Sequence, residues 1–168
     1  MVSSIASSFD VTVDGDVTAT SDNGAAAGVI GNLLGDVTLT LGSALTVQGK
    51  GDGLGIWFDG LDALSLDVAG MVSVTSTDGH ATGVLVESAL GDITAELHGL
   101  NVSAAGEANG IRFEGEGAID LTDSGTITVS GLTGLPGTAV YVEGLSSATA
   151  AGAITVDLNS VVATGNVN

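Results

Sequence analysis

A repeat of about 27 residues runs through this chain, and it constrains the fold more strongly than any other feature. It is clearest in a short apolar segment whose starts lie 27, 28, 27 and 29 residues apart: Gly28-Val29-Ile30, Gly55-Ile56-Trp57, Gly83-Val84-Leu85, Gly110-Ile111-Arg112 and Ala139-Val140-Tyr141. A fixed period of this length is typical of proteins in which one small structural unit stacks on the next. We therefore expect a solenoid.

Two further series of apolar-polar-apolar segments share this period. One comprises residues 11–13, 37–39, 64–66, 93–95, 119–121 and 154–156, and the other 17–19, 45–47, 72–74, 102–104, 127–129 and 161–163. Such alternation indicates half-buried strands, and Gly, Asp, Asn or Ser separates them. The sequence predicts an all-β, right-handed parallel β-solenoid (a parallel β-helix) over residues 1–168, with three strands per rung, about 27–28 residues per rung and about six rungs. A β-sandwich is the competing architecture.

Charge and composition exclude several classes of partner. The chain has 20 acidic residues against Lys50 and Arg112, and its formal net charge is -18. Nucleic acid is not an expected partner, because phosphate binding needs clustered basic side chains. The long uncharged stretch 124–142 is interrupted by Gly and Pro, so no transmembrane segment is expected.

Residues 121–131, LTDSGTITVSG, resemble the repeat of the pertactin-like passenger domains of bacterial autotransporters. This degenerate resemblance extends over nearly the whole chain. It implies an extracellular or cell-surface location in bacteria and a role as a stalk, scaffold or adhesin.

Candidate catalytic residues are few. A nucleophilic triad would need His80 or His98, and both fall at corners or strand edges. No catalytic residue is therefore predicted, and a non-enzymatic module is expected. Two alternatives remain open. One is a glycan-binding or glycan-cleaving β-helix, and the other is an ice-binding solenoid that uses outward Thr and Ser on two faces: Thr12, Thr38, Ser65, Thr94 and Asp120 on one, and Thr18, Thr46, Ser73, Ser103 and Thr128 on the other.

The third face carries a different set of outward residues. We call the column Ile30, Trp57, Leu85, Arg112 and Tyr141 the outward stripe, and its exposed apolar and aromatic character predicts a partner or assembly contact. Beside it runs the acidic column: Asp59, Glu87, Glu114 and Glu143. Mutual repulsion makes this column a candidate cation-binding ladder, with weak calcium binding at most and no other cofactor expected.

The ends of the predicted solenoid have no recognisable cap. Bare strand edges at each end would favour self-association end to end, or contact with neighbouring solenoid rungs. A surface receptor or a glycan is a further candidate partner for the outward stripe.

Overall fold

The computed structural model describes residues 2–4, 8–131, 137–144, 152–165 and 167. These residues form sixteen strands: β1 (Val2–Ser4), β2 (Ser8–Val13), β3 (Val17–Ser21), β4 (Ala26–Leu33), β5 (Asp36–Leu41), β6 (Leu45–Gly49), β7 (Gly53–Gly60), β8 (Leu64–Val68), β9 (Val72–Ser76), β10 (Ala81–Ser88), β11 (Ile93–Leu97), β12 (Leu100–Ala104), β13 (Ala108–Gly115), β14 (Ile119–Ser130), β15 (Thr138–Gly144) and β16 (Ile154–Thr164). In the described ranges no helix is long and apolar enough to cross a membrane.

The strands stack in three columns, and every pairing between strands is parallel. The first column is β1-β4-β7-β10-β13-β15, the second is β2-β5-β8-β11 and the third is β3-β6-β9-β12. Strands β14 and β16 are long enough to turn the corner, so each contributes to both the second and third columns and joins them into one sheet. The chain makes about five turns as a β-solenoid and stacks six rungs in its second and third columns, with β14 and β16 counted in both, which confirms the predicted fold class.

The core is a column of aliphatic side chains inside the three faces. Ile56, Val84 and Ile111 lie in register and are almost completely buried, while Val29 and Val140 continue the column at either side. This is the inward column that the sequence predicts. Burying one such side chain contributes about 1.5–3 kcal/mol, and the contribution is repeated on every rung.

Two strands pair two residues away from the predicted alignment. Strand β2 places Asp10 and not Thr12 opposite Thr38, and strand β12 places Asn101 in the outward position predicted for Ser103. A shift of two residues keeps the same side chains facing inward. The alternation alone could not distinguish the two registers, and the outward faces are consequently less uniform in Thr and Ser than predicted.

Glycine marks the point where the long strands of the first column bend inward. In β10 both Gly83 and Val84 are buried, so two consecutive residues face the interior. A Cβ atom at Gly83 would lie 2.7 Å from the carbonyl oxygen of Gly110 and 2.7 Å from Cδ1 of Leu100. The next rung and the opposite wall therefore leave no room for a side chain here.

Aspartates at the corners link successive rungs through hydrogen bonds. Their Oδ1 atoms accept hydrogen bonds from backbone N–H groups one rung on: Asp16 from Ala44 at 3.2 Å, Asp36 from Ala63 at 3.2 Å, Asp52 from His80 at 2.9 Å and Asp92 from Ala118 at 2.7 Å. Hydrogen bonds from Ser43 and Ala44 lower the pKa of Asp16. The stability that Asp16 contributes is therefore present at neutral pH and is lost as the pH falls through this lowered pKa.

One aspartate departs from the apolar pattern of the core. Asp123 is 2% exposed and lies in register between Leu97 and Leu158. Its Oδ1 accepts hydrogen bonds from the N–H groups of Gly99 and Gly125, both at 2.9 Å, while its Oδ2 has no partner among the described residues. The register of β14 against β16 shifts just after this residue, so the buried carboxylate marks the irregular corner.

We expect Ile111→Asp to lower the free energy of unfolding by at least about 3 kcal/mol, because it places an unpaired charge in the core column. Thr128→Ala changes an outward side chain and should stay within about 0.5 kcal/mol of the parent. Thermal unfolding followed by circular dichroism measures both variants. Equal stability of the two would contradict the assignment of inward and outward positions.

Gly83→Ala should also destabilise the protein, because the new methyl group would press on the backbone of the next rung. Gly15 is the matched control, since nothing lies within 4 Å of a Cβ at that corner and its φ is not positive. Gly15→Ala is expected to be neutral or slightly stabilising. Chemical denaturation of the two variants would show a lower midpoint for Gly83→Ala alone, and a similar loss for both would argue against close packing at Gly83.

Candidate functional site

The first column holds the predicted outward stripe in register. Strands β4, β7, β10, β13 and β15 each contribute one residue, which pair in the order Ile30, Trp57, Leu85, Arg112 and Tyr141. Adjacent residues lie one strand spacing apart, about 4.8 Å. The fold therefore assembles a continuous strip from residues that are far apart in sequence.

The apolar side chains of the outward stripe are less exposed to solvent than their outward position alone predicts. Ile30, Trp57 and Leu85 are each only partly exposed, and Tyr141 is 39% exposed. The indole Nε1 of Trp57 is buried and has no hydrogen-bond partner among the described residues. Side chains on neighbouring rungs are close enough to shield one another, so the accessible part of the stripe lies mainly at Arg112 and Tyr141.

Arg112 links the stripe to the acidic column. Its Nε donates to Oε1 of Glu114 at 2.7 Å, and its guanidinium carbon lies 5.5 Å from the centre of the Tyr141 ring. The hydrogen bond from Arg112 to Glu114 is the main reason that the pKa of Arg112 is raised. The cation thus neutralises the carboxylate on its own strand and stacks on the aromatic ring of the next rung.

The acidic column is also in register, and most of its members have partners. Asn32 donates to Asp59 at 3.2 Å, Glu114 binds Arg112, and Glu143 accepts a hydrogen bond from the hydroxyl of Tyr141. That last hydrogen bond raises the pKa of Tyr141.

Glu87 lies between Asp59 and Glu114, and no hydrogen bond or ion pair to it is found within the described part of the chain. It therefore has two like-charged neighbours, and it interacts with Arg112 of the next strand through charge alone.

Shallow depressions border these side chains. Asp59, Glu87, Ser88, Ala89 and Glu114 line one of about 210 Å³, and a second of about 240 Å³ is lined by Glu107, Asn109, Ile111, Arg112, Thr138 and Tyr141. Over the described ranges no group of three or more His, Cys, Asp or Glu side chains is arranged to hold a metal ion. Cation binding by the acidic column stays a prediction.

A larger depression, of about 530 Å³, lies at a different corner. Its lining is polar and includes Thr20, Gln48, Thr75 and Lys50. The Nζ of Lys50 is 4.0 Å from Oδ2 of Asp78, and both side chains are largely exposed. The sequence carries no signal for this corner, because its lining comes from three rungs and none of these residues stands out on its own rung.

Both histidines contact the backbone of a neighbouring rung. The Nδ1 of His80 accepts from the N–H of Glu107 at 3.0 Å, and the Nδ1 of His98 lies 3.0 Å from the carbonyl oxygen of Val68. A carbonyl can only accept, so Nδ1 of His98 carries the proton. Each ring is oriented by a backbone group, and among the described residues no carboxylate is hydrogen-bonded to either ring.

The last described rung has an exposed apolar surface. Ile154, Val156 and Val161 in β16 occupy inward positions, yet they are 47%, 42% and 43% exposed. The residues that pair with them one rung earlier are at most 1% exposed: Ile119, Leu121 and Ile127. We call this surface of β16 the open end.

The backbone of the open end also carries N–H groups for which no partner is found among the described residues. On earlier rungs the N–H of an inward residue donates to the following rung, as Leu64 does to Asp92 at 2.8 Å and Ile119 to Ala153 at 2.9 Å. Because successive residues in a parallel strand bond alternately to the two sides, the N–H groups of Ile154 and Val156 point away from β14. Within the described part of the chain no strand pairs with this edge of β16, which we call the free edge.

Comparison with known proteins found no matching family model, no matching curated protein and no matching solved structure.

Replacing Glu87 by Gln should raise the free energy of unfolding at low salt by about 0.2–1 kcal/mol, because it removes two like-charge contacts across the strands. The gain should shrink as salt screens the column. Melting temperatures at low and high ionic strength measure this effect. Glu116→Gln removes the same charge just beyond β13 and serves as the control. Equal gains in the two variants would show that net charge, and not the acidic column, is responsible.

Proposed function

We propose that this chain is a non-catalytic structural β-solenoid module that associates end to end into a fibre or stalk at the bacterial surface or in the extracellular matrix. The observation that carries the proposal is the open end, where inward apolar side chains and backbone N–H groups of β16 have no covering rung among the described residues, whereas every earlier rung has one. An exposed strand edge of this kind is a template for another strand.

The free energy of apolar burial and of hydrogen bonding favours covering this surface with another rung. Burying its partly exposed apolar area would contribute about 25 cal/mol per Å², and each new backbone hydrogen bond about 0.5–1.5 kcal/mol. Several inward residues from the second and third columns would be buried at once. That sum can offset the loss of translational and rotational freedom on association, about 4–15 kcal/mol.

The surroundings of the two histidines support a non-catalytic role. His80 and His98 both contact backbone groups of adjacent rungs. Over the ranges that the structure describes, neither is oriented by a carboxylate, as the base of a nucleophilic triad would be. The extracellular location rests on the resemblance of residues 121–131 to autotransporter passenger repeats.

The outward stripe supports an adhesive role as a second function of the same module. Arg112 and Tyr141 form an accessible pair beside Glu114 and Glu143, which suits a lateral partner or a surface ligand with both apolar and polar groups. Ice binding has less support, because Asp10 and Asn101 interrupt the outward Thr and Ser of the other two faces.

Substituting Val156→Pro tests the end-to-end contact, since it removes a backbone donor at the free edge without removing one that bonds to β14. We expect purified parent protein to form filaments in negative-stain electron microscopy, and Val156→Pro to remain folded but lose elongation. Val156→Thr keeps the N–H group and nearly the same shape, and it should still elongate.

Tyr141→Ala tests the role of the outward stripe separately from that of the open end. It should alter lateral association or ligand adhesion while filaments of normal length persist. Parent protein that stays monomeric by light scattering at high concentration would overturn the self-association proposal and leave the open end to be covered by further rungs of the same polypeptide.

A further inference from the structure

The first and last described rungs carry matching patterns at their inward positions. Following the register through the second column, Phe9 occupies the same position as Ile154, and Val11 the same position as Val156. In the third column Val17 corresponds to Val161. Phe9, Val11 and Val17 are themselves only partly buried. The inward apolar side chains of the first rung therefore match the positions that an additional rung would need in order to cover the open end.

We infer that the open end binds the first rung of a second copy of this chain in register, so that β2 and β3 of the second copy continue the columns as a seventh rung. This inference rests on the proposed end-to-end association and specifies its partner surface. Ile154 then packs beside Phe9 of the second copy, and Val156 beside its Val11. The strands remain parallel across the junction, as they are within the chain.

Outward charges favour this register over its neighbours. In register, Thr155 lies beside Asp10 of the second copy and Asp157 beside its Thr12, so no two carboxylates are opposite each other. A shift of two residues in one direction places Asp157 beside Asp10, and a shift in the other direction places it beside Asp14. Like charges directly opposite each other on adjacent strands are destabilising. A shift of one residue would turn the apolar side chains outward.

The charge preference acts together with the corner. Inside the chain the second column tolerates one opposed pair, Asp67 and Glu96, and the acidic column of the first holds three more, so charge alone does not exclude a shifted junction. Sliding the second column by two residues would, however, also displace the third column, where Val17 must meet Val161. Only the in-register alignment pairs Ile154 with Phe9 in the second column and Val161 with Val17 in the third column at the same time.

Cysteine pairs test the junction directly, because the chain has no native Cys. Two double variants place cysteines at positions that the inference makes neighbours: Asp10→Cys with Thr155→Cys, and Thr12→Cys with Asp157→Cys. Neighbours on adjacent strands are about 4.8 Å apart, within the Cα separation of about 4.4–6.8 Å that a disulfide needs. Within one molecule the paired positions lie five rungs apart, about 24 Å, so an internal disulfide cannot form.

The crossed pairs are the matched controls. Asp10→Cys with Asp157→Cys, and Thr12→Cys with Thr155→Cys, use the same four positions, but their Cα atoms would lie about 8 Å apart across an in-register junction. Mild oxidation of assembled protein, followed by denaturing electrophoresis without reductant, is expected to give a ladder of covalent oligomers for the two in-register pairs. The ladder should be lost for the crossed pairs.

Each other outcome overturns the inference in an identifiable way. A ladder from the crossed pairs means a shifted register, and covalent dimers from Thr155→Cys alone mean that two open ends meet tail to tail. Filaments of the double variants that give no covalent products refute the seventh-rung junction while leaving self-association standing. Absence of filaments in the parent protein removes both the inference and the proposed function.

Discussion

The parallel hydrogen bonding between rungs is the constraint on which the rest of this structure depends. Inward residues of the second column donate their N–H groups to the rung that follows, as in the contact of Ile93 with Ala118 at 2.8 Å. Every rung must therefore have nearly the same cross-section as its neighbours. Val, Ile and Leu meet that requirement inside the faces, and Gly83 meets it where the wall bends towards the opposite side.

The sequence predicted this arrangement because two periodicities coincide. Alternation along each strand assigned residues such as Ile111 and Arg112 to opposite sides, and the longer repeat assigned them to columns. Register within a column was less well determined. Strands β2 and β12 are displaced by two residues, a change that the alternation does not detect because both choices bury an equivalent apolar set.

Features that depend on contacts between rungs were harder to predict. Corner aspartates such as Asp52 and Asp92 look like ordinary turn residues in sequence, yet their carboxylates accept backbone hydrogen bonds from the next rung. Trp57 was correctly placed on the outward side, but its coverage depends on how Ile30 and Leu85 pack beside it. Alternation indicates the direction of a side chain and does not determine how much of it stays accessible.

The net charge of -18 favours association through the ends over association through the faces. A lateral contact would bring acidic side chains of two copies close together and add repulsion that a single copy does not have. An end contact instead extends the existing columns, with new carboxylates at distances already tolerated between rungs. At about 0.1 M ionic strength the screening length is about 10 Å, roughly two strand spacings, so charges beyond the nearest rungs contribute little across the junction. Under the proposed end-to-end association, the same surface charge would keep the faces of separate copies apart and leave the open end as the surface for growth.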